Sequence, residues 1–376
     1  MKLFEVYSLL NVTPERGEGC YIYDNQGIKY LDLYGGHAVI SIGHAHPTYV
    51  RYITEQVRKL GFYSNSVIIP QQQQLAEGLG AISGYPDYRL FLCNSGAEAN
   101  ENAIKLASFH TGKRKVLAFS GAFHGRTHGA VTITDNPRIQ APVNNPDYVV
   151  RAPWNDLNAV EDAFKSGEIC AAIIEGIQGI AGIYIPETPF MQGLRMLCTQ
   201  YGVCLVLDEI QSGYGRSGMF FAHQYNDIRP DIITVAKGIA NGFPMAGVLI
   251  SPMFEARPGM LGTTFGGSPL ACAAALAVLE VMNTEHLVEN ARTTGDYLMN
   301  GLKAIPQIKE VRGRGLMIAL EMDQPIAPLR KKLLETYHVF TGTSSKPCVM
   351  RLLPPLTFGK AESDIFIDRI SRALAE

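Results

Sequence analysis

Lys237 follows an apolar run, DIITVA (231–236), and precedes a glycine-rich stretch, GIANGFPMAG (238–247). Asp208 closes the apolar part of YGVCLVLDEIQ (201–211). Both runs read as buried strands, so the two charged residues stand at strand C-terminal ends. A lysine amine in that position can hold an aldehyde cofactor as a Schiff base. An aspartate beside it can keep that cofactor's pyridine nitrogen protonated. Taken singly, each residue is equally an ordinary charged strand end.

Other segments add chemistry. CNSGAEANENAIKLA (93–107) follows a strand and opens a helix. Ser95 and Glu98 have capping-box spacing, and Gly96 lets backbone approach a ligand. The free amides and positive end of such a helix suit a phosphate, although a well-capped ordinary helix has the same pattern. GAFHGRTHG (121–129) gathers Phe123, His124, Arg126 and His128 in one glycine-flanked loop. Phe123 suits stacking on a flat ring, and Arg126 suits clamping a carboxylate. The two histidines lack a nearby carboxylate or cysteine to complete a metal site, as do His44 and His46, so no metal is expected. LGTTFGGSPLACAAA (261–275) offers Thr263 and Thr264 before paired glycines, or simply a tight turn and an interface helix. VMRLLPPLTFG (349–359) places Arg351 before a Pro-Pro stop; it is equally a surface arginine on an edge strand.

Two motifs mislead. LVLDE (205–209) resembles a Walker B strand, but no G-x-x-x-x-G-K-[ST] accompanies it. GYGRSG (213–218) fits G-x-G-x-x-G, yet the next strand follows too soon for a crossover helix.

The elements that must carry these residues alternate. Candidate strands are 89–93, 115–119, 171–175, 203–208, 231–235 and 246–250, with helical patterns at 97–110 and 189–201 between some of them. This predicts an α/β fold with a mostly parallel sheet, helices on both faces, and a ligand at the strands' carboxyl ends. Beyond about residue 256 the pattern changes. Helices near 269–282, 285–304 and 361–375, with strands near 311–322 and 349–353, predict a smaller α+β domain. The expected division is 1–50, an N-terminal segment with a hairpin packing on the small domain; 51–255, the large domain; and 256–376, the small domain.

The 376 residues allow a large core. With 47% hydrophobic and 18% charged residues and a net charge of −2, the composition argues against disorder and against a nucleic-acid partner. No apolar stretch is long enough for a membrane span, and the N-terminus lacks a secretory h-region. Seven cysteines without a C-x-x-C pair predict reduced thiols in the cytoplasm.

Together these segments resemble the class-III, ornithine-type pyridoxal-phosphate aminotransferases, and most closely their acetylornithine branch. The resemblance runs in the family's order from RGEGCYIYD (16–24) to RLLPPL (351–356). It implies the pyridoxal 5'-phosphate fold of type I. Lys237 would carry the cofactor and move the proton. Asp208 would pair with the pyridinium nitrogen, flanked by Glu209 and Ile210 as further contacts, and Gln211 would bond the phenolic oxygen. Phe123 would stack on the ring, and Gly96 and Ala97 would hold the phosphate. Ala97 stands where the family usually has threonine. Thr264 would reach the phosphate of the other subunit, which implies a homodimer with shared sites. Arg126 and Thr263 would bind substrate, and Arg351 the α-carboxylate of glutamate.

The implied reaction moves the ω-amine of an N-acylornithine, acetyl or succinyl, to 2-oxoglutarate in arginine biosynthesis. Rivals are a 4-aminobutyrate or ornithine aminotransferase, an aminomutase, and a non-catalytic binding protein. One departure stands out. EGIQGI (175–180) replaces the family's E-P-x-Q-G-E, so Ile180 occupies the place of a glutamate that commonly pairs with the Arg351 equivalent.

Overall fold

The computed structural model describes residues 1–376. Its centre is a seven-stranded sheet. The strand order is Arg89–Cys93, Ala246–Ile250, Ile232–Val235, Cys204–Asp208, Ile169–Glu175, Lys115–Phe119, Val149–Ala152. The last five run parallel to one another, whereas Ala246–Ile250 is antiparallel to both neighbours. Ile169–Glu175 and Cys204–Asp208 are buried along their whole length, which explains why they read as continuous apolar runs rather than alternating ones.

Helices cover both faces. Gly96–Thr111 packs on one side through Ala99, Ala103, Leu106 and Ala107, which join the core cluster containing Val206 and Ile232. Thr188–Tyr201 covers the other through Phe190, Met191 and Leu194, against Leu117, Ile174 and Leu207. The alternate residues of each strand therefore feed two separate cores. Several elements lie outside the sequence expectation: helices Pro47–Lys59, Pro70–Ser83, Leu157–Phe164 and Ala327–Glu335, and the edge strand Val149–Ala152.

Two four-stranded sheets complete the molecule. Pro14–Glu18, Tyr21–Asp24 and Lys29–Asp32 form an antiparallel ribbon, and Val339–Phe340 adds to it in parallel through Val339 and Leu31. The other sheet orders Glu310–Arg314, Met317–Glu321, Val349–Leu352 and Gly342–Thr343, all antiparallel. Helices Pro269–Thr284, Leu287–Lys303 and Lys360–Ala375 are present close to their expected bounds. No single helix is long and apolar enough to cross a membrane. All seven cysteines are free.

Candidate active site

Register places three side chains in a row at the carboxyl edge of the large sheet. Glu175 pairs with Asp208, and Asp208 with Thr234, across neighbouring parallel strands. Lys237 comes three residues after Thr234, at the start of a short 3-10 turn, Lys237–Ala240. Its φ is 49°, a left-handed conformation uncommon for a residue with a side chain. Such strain costs about 1–3 kcal/mol and concentrates at functional sites.

Here it turns the half-buried lysine into a cavity of about 710 Å³. Lys237, Asp208, Gly96, Ala97, Phe123, Ile210, Gln211 and Arg126 all line that cavity. Burial pushes the Lys237 amine below the ordinary lysine range, Arg351 adds to the effect, and Asp208 and Glu175 oppose it. The neutral, nucleophilic amine is thereby favoured.

Asp208 is buried and held from three directions. Its Oδ2 accepts from Asn100 Nδ2 at 2.8 Å and lies 2.7 Å from His124 Nδ1; its Oδ1 accepts from the Ile210 amide at 3.0 Å. A carboxylate only accepts, so Nδ1 carries the proton in this contact. Thr234 Oγ1 donates to Asn100 Oδ1 at 2.7 Å, fixing the amide's orientation. Asn100 also donates to the His124 carbonyl, and His124 Nε2 is buried without a partner. Oδ1 retains a lone pair directed to no other side chain.

The anion cradle follows from the first helical turn. Ser95 Oγ caps the helix by accepting from the Glu98 amide at 3.2 Å. The Gly96 and Ala97 amides have no intrahelical acceptor by their position. Gly96 leaves room for Ile210: a Cβ there would lie 2.8 Å from Ile210 Cδ1, so that side chain would have to shift. Gly125, at φ 137°, is required, because a Cβ would lie 2.7 Å from that of Ala97. Two free amides for a phosphate, a half-buried aromatic ring in Phe123, an amine of lowered pKa and a buried carboxylate with a spare lone pair fit pyridoxal phosphate.

The remaining expected residues fall in different places. Arg126 is exposed at the cavity and makes neither a hydrogen bond nor an ion pair. Arg351 is buried behind the wall, with Nη1 donating to Gln211 Oε1 at 3.0 Å and Nε to the Thr343 carbonyl. Gln211, expected on a ring oxygen, thus holds Arg351, and its Nε2 donates to the His37 carbonyl at 3.2 Å.

Glu209 needs correcting. It faces away from the cavity, and its carboxylate accepts from Ser212 Oγ and from the Ala222 and His223 amides, with His223 Nδ1 2.8 Å away. Consecutive residues after a strand cannot all face one ligand, and Glu209 is spent on anchoring the turn beneath. Thr263 and Thr264 lie outside this chain's cavity. Thr263 Oγ1 accepts from Asn94 Nδ2 and the Gly266 amide, and Thr264 is exposed.

The site also contains residues that motif reading did not single out. Glu175 is buried, with its oxygens accepting from the Phe123 and Gly179 amides. Burial pushes its pKa up to about 7, with Asp208 adding and His124 opposing. Four successive positive φ values, Gly35 to Ala38, form a left-handed turn that presents His37 to the cavity. Tyr34 Oη lies within hydrogen-bond distance of that ring. Burial, then Arg351 and Lys237, hold His37 below the ordinary histidine range. His44 and His46, weighed as metal ligands from their spacing, are bonded to Asp32 and Glu285 instead.

Residues 5–374 match the family model for class-III aminotransferases. The chain belongs to this family. Class-III aminotransferases depend on pyridoxal 5'-phosphate, and the groups lining the cavity around Lys237 fit that cofactor. An acetylornithine aminotransferase of Nitrosomonas europaea is 39% identical, with 98% of this chain and 96% of that protein covered. One from Methanopyrus kandleri is 40% identical, with 98% and 94% covered. Among solved structures, the ornithine aminotransferase of Toxoplasma gondii superposes with a TM-score of 0.93 at 28% identity, covering 99% of this chain and 92% of that one. The acetylornithine aminotransferase of Elizabethkingia anophelis superposes with a TM-score of 0.87 at 30% identity, covering 98% and 95%. This class-III aminotransferase therefore has the type I fold, a mostly parallel sheet flanked by helices with smaller sheets beside it.

Proposed function

We propose that this aminotransferase moves the ω-amine of an N-acylornithine, acetyl or succinyl, to 2-oxoglutarate, giving the semialdehyde and glutamate, as a step of arginine biosynthesis in the cytoplasm. The observation that carries the reading is the gathering of Lys237, the buried Asp208 and two arginines without carboxylate partners, Arg126 at the cavity and Arg351 behind its wall. The names of the curated relatives support the acylornithine donor.

The bound cofactor supplies an electron sink that stabilises negative charge on the carbon bearing the amine. The chain supplies the rest. Lys237 Nζ would take the proton from that carbon and hand it to the cofactor's former aldehyde carbon two bonds away, a task suited to an amine of lowered pKa. Asp208 would pair with the protonated ring nitrogen, and Asn100 and His124 orient that carboxylate. Phe123 positions the ring, and Gly96 and Ala97 hold the phosphate. Arg126 would take the donor's carboxylate and Arg351 the α-carboxylate of glutamate, and Thr263, outside this chain's own cavity, would contact the substrate of a neighbouring copy.

The same reading makes the protein a homodimer, with Thr264 reaching the neighbour's phosphate. Exposed Phe62, Ile68 and Phe265, with Phe62 and Phe265 in ring contact, support a partner on that side. It also divides the chain at about 50 and 255, supported by the strand that Val339–Phe340 adds to the N-terminal ribbon.

The test is to add ω-amines singly to the cofactor-loaded protein and follow loss of its visible absorbance. N-acetyl- or N-succinylornithine should bleach the band faster than 4-aminobutyrate or free ornithine. The reverse order would transfer the assignment to those donors.

A further inference from the structure

Three carboxamide side chains line the cavity: Asn94, Asn136 and Gln211. Two of them spend their amino groups inside the chain. Asn94 Nδ2 donates to Glu98 Oε2 and to Thr263 Oγ1, both at 3.0 Å, and Gln211 Nε2 donates to the His37 carbonyl. Asn136 differs. Its Oδ1 accepts from the Arg138 amide at 3.1 Å, and its Nδ2 has no partner in the chain. A backbone N–H needs an acceptor, so that bond fixes which end of the carboxamide is oxygen and leaves the amino group free. The side chain is half-buried, and Pro137 restricts the Asn136 backbone to the extended form it adopts.

The loop that carries Arg126 closes on itself just before Asn136. The Asp135 amide donates to the Ala122 carbonyl at 2.8 Å, and Asp135 Oδ2 accepts from the Gly121 amide at 2.7 Å. Thr134 Oγ1 accepts from the His124 amide at 2.9 Å, two residues before Arg126. Asn136 therefore leaves the loop beside the segment that leads into Arg126, and both side chains line the one cavity. Arg126, like Asn136 Nδ2, has no partner there.

A free guanidinium beside a free carboxamide N–H pair calls for a carboxylate beside a carbonyl oxygen. An N-acyl-α-amino acid has both on one carbon. A free α-ammonium in the same place only donates, and would set donor against donor. We propose that Asn136 determines specificity for acylated donors, its Nδ2 donating to the acyl carbonyl while Arg126 holds the carboxylate. Acetyl and succinyl donors share that oxygen, so the contact accepts both. The proposal rests on the role given above to Arg126.

The experiment compares kcat/KM for N-acetylornithine, ornithine and 5-aminopentanoate in the cofactor-loaded wild type, Asn136→Ser and Asn136→Asp. 5-Aminopentanoate has the same chain length and carboxylate without the acylamide. Serine keeps an oxygen for the Arg138 amide and removes the amino group. It should lower the ratio of N-acetylornithine to 5-aminopentanoate about 2- to 12-fold, the worth of one neutral hydrogen bond. Aspartate keeps the same oxygen and puts an acceptor where the amino group was. It should raise ornithine relative to N-acetylornithine by about tenfold or more. Both readouts are ratios, so a partial loss of folded protein cancels. N-acetyl-L-norvaline and pentanoate, which lack an amine to react, repeat the comparison as inhibitors: Asn136→Ser should weaken the first relative to the second by the same factor. Unchanged ratios in both variants overturn the proposal and leave the acylornithine reading standing. A wild type that prefers ornithine to N-acetylornithine overturns that reading and the proposal with it. So does an Arg126→Ala variant that slows neither N-acetylornithine nor 5-aminopentanoate, because the carboxylate then lies elsewhere.

Discussion

His124 Nδ1 lies 2.7 Å from Asp208 Oδ2, and Asn100 Nδ2 reaches the same oxygen at 2.8 Å. All three side chains are buried. An aspartate that pairs with a ring nitrogen must present its free oxygen in one orientation, and two hydrogen bonds on the other oxygen fix that orientation. A bond to a charged group is worth about 1.5–3 kcal/mol, so His124→Ala should slow the half-reaction about 10- to 150-fold. It should also weaken cofactor retention in equilibrium dialysis. His124→Asn, which can keep a donor towards Asp208, should recover part of both. Wild-type retention and rate in His124→Ala would mean that the histidine only fills space.

Lys237 is the one amine that the strand end and its left-handed turn carry into the cavity. Borohydride reduction of the cofactor-loaded protein, followed by peptide mapping, should place the label on Lys237. A label on any other lysine would sink the mechanism.

Thr264 is exposed and outside its own chain's cavity, as a residue serving a neighbour would be. A two-fold dimer makes two equivalent sites across one interface. Inactive Lys237→Ala mixed with inactive Thr264→Ala should then give hybrids with one doubly damaged site and one intact site. Verified heterodimers should recover up to half of the wild-type activity per dimer. No recovery would mean that each site draws on one chain only.

Glu175 introduces a pH dependence of stability. Its pKa is raised from 4.5 to about 7, mainly by burial. Between those values the folded chain binds a proton that the unfolded chain has released. The contribution is therefore complete below about pH 4.5 and is lost as pH rises through about 7. A shift of this size is on the order of 3 kcal/mol. Denaturant titrations of the cofactor-free protein should show wild type losing about that much relative to Glu175→Gln between pH 4.5 and 7. Parallel curves would mean that Glu175 titrates normally.

The strand ends were legible because period and flanking glycines mark where a buried strand stops, and Lys237 and Asp208 both sit at such a point. The helix over Gly96–Thr111 was equally plain from Ser95 and Glu98. Asn100 and Thr234 were not, because one lies mid-helix and the other mid-strand, and only the packing of that helix on that strand joins them to Asp208. Glu209 misled for the opposite reason: adjacency to Asp208 in the chain suggested a shared ligand, whereas the turn sends its side chain to the other side. Glu175 stood in a quoted motif, but its burial and its register with Asp208 follow only from strand pairing. The positive-φ turn at Gly35–Ala38 had a visible trace in its paired glycines, with nothing to say that His37 would continue it.

Ile180 gives the last prediction. It lines the cavity, and its carbonyl is held by Ser345 beside the segment that anchors Arg351. A glutamate at this position would attract Arg351 by several kcal/mol at intermediate dielectric, before desolvation is counted. Isoleucine leaves the guanidinium with only Gln211 and a backbone carbonyl. Burial has already pushed Arg351 down to about 10, so it remains charged throughout the neutral range. The arginine is consequently open to carboxylates in both half-reactions. Excess 2-oxoglutarate should bridge Arg351 and Arg126, keep the ω-amine donor out, and inhibit steady-state turnover. Ile180→Glu should raise the concentration of 2-oxoglutarate needed for that inhibition by about tenfold or more, and slow the glutamate half-reaction more than the ω-amine half-reaction. The measurement is initial velocity against 2-oxoglutarate at fixed donor, with both half-reactions followed by stopped flow. Unchanged inhibition with both half-reactions intact would mean that position 180 does not act on Arg351.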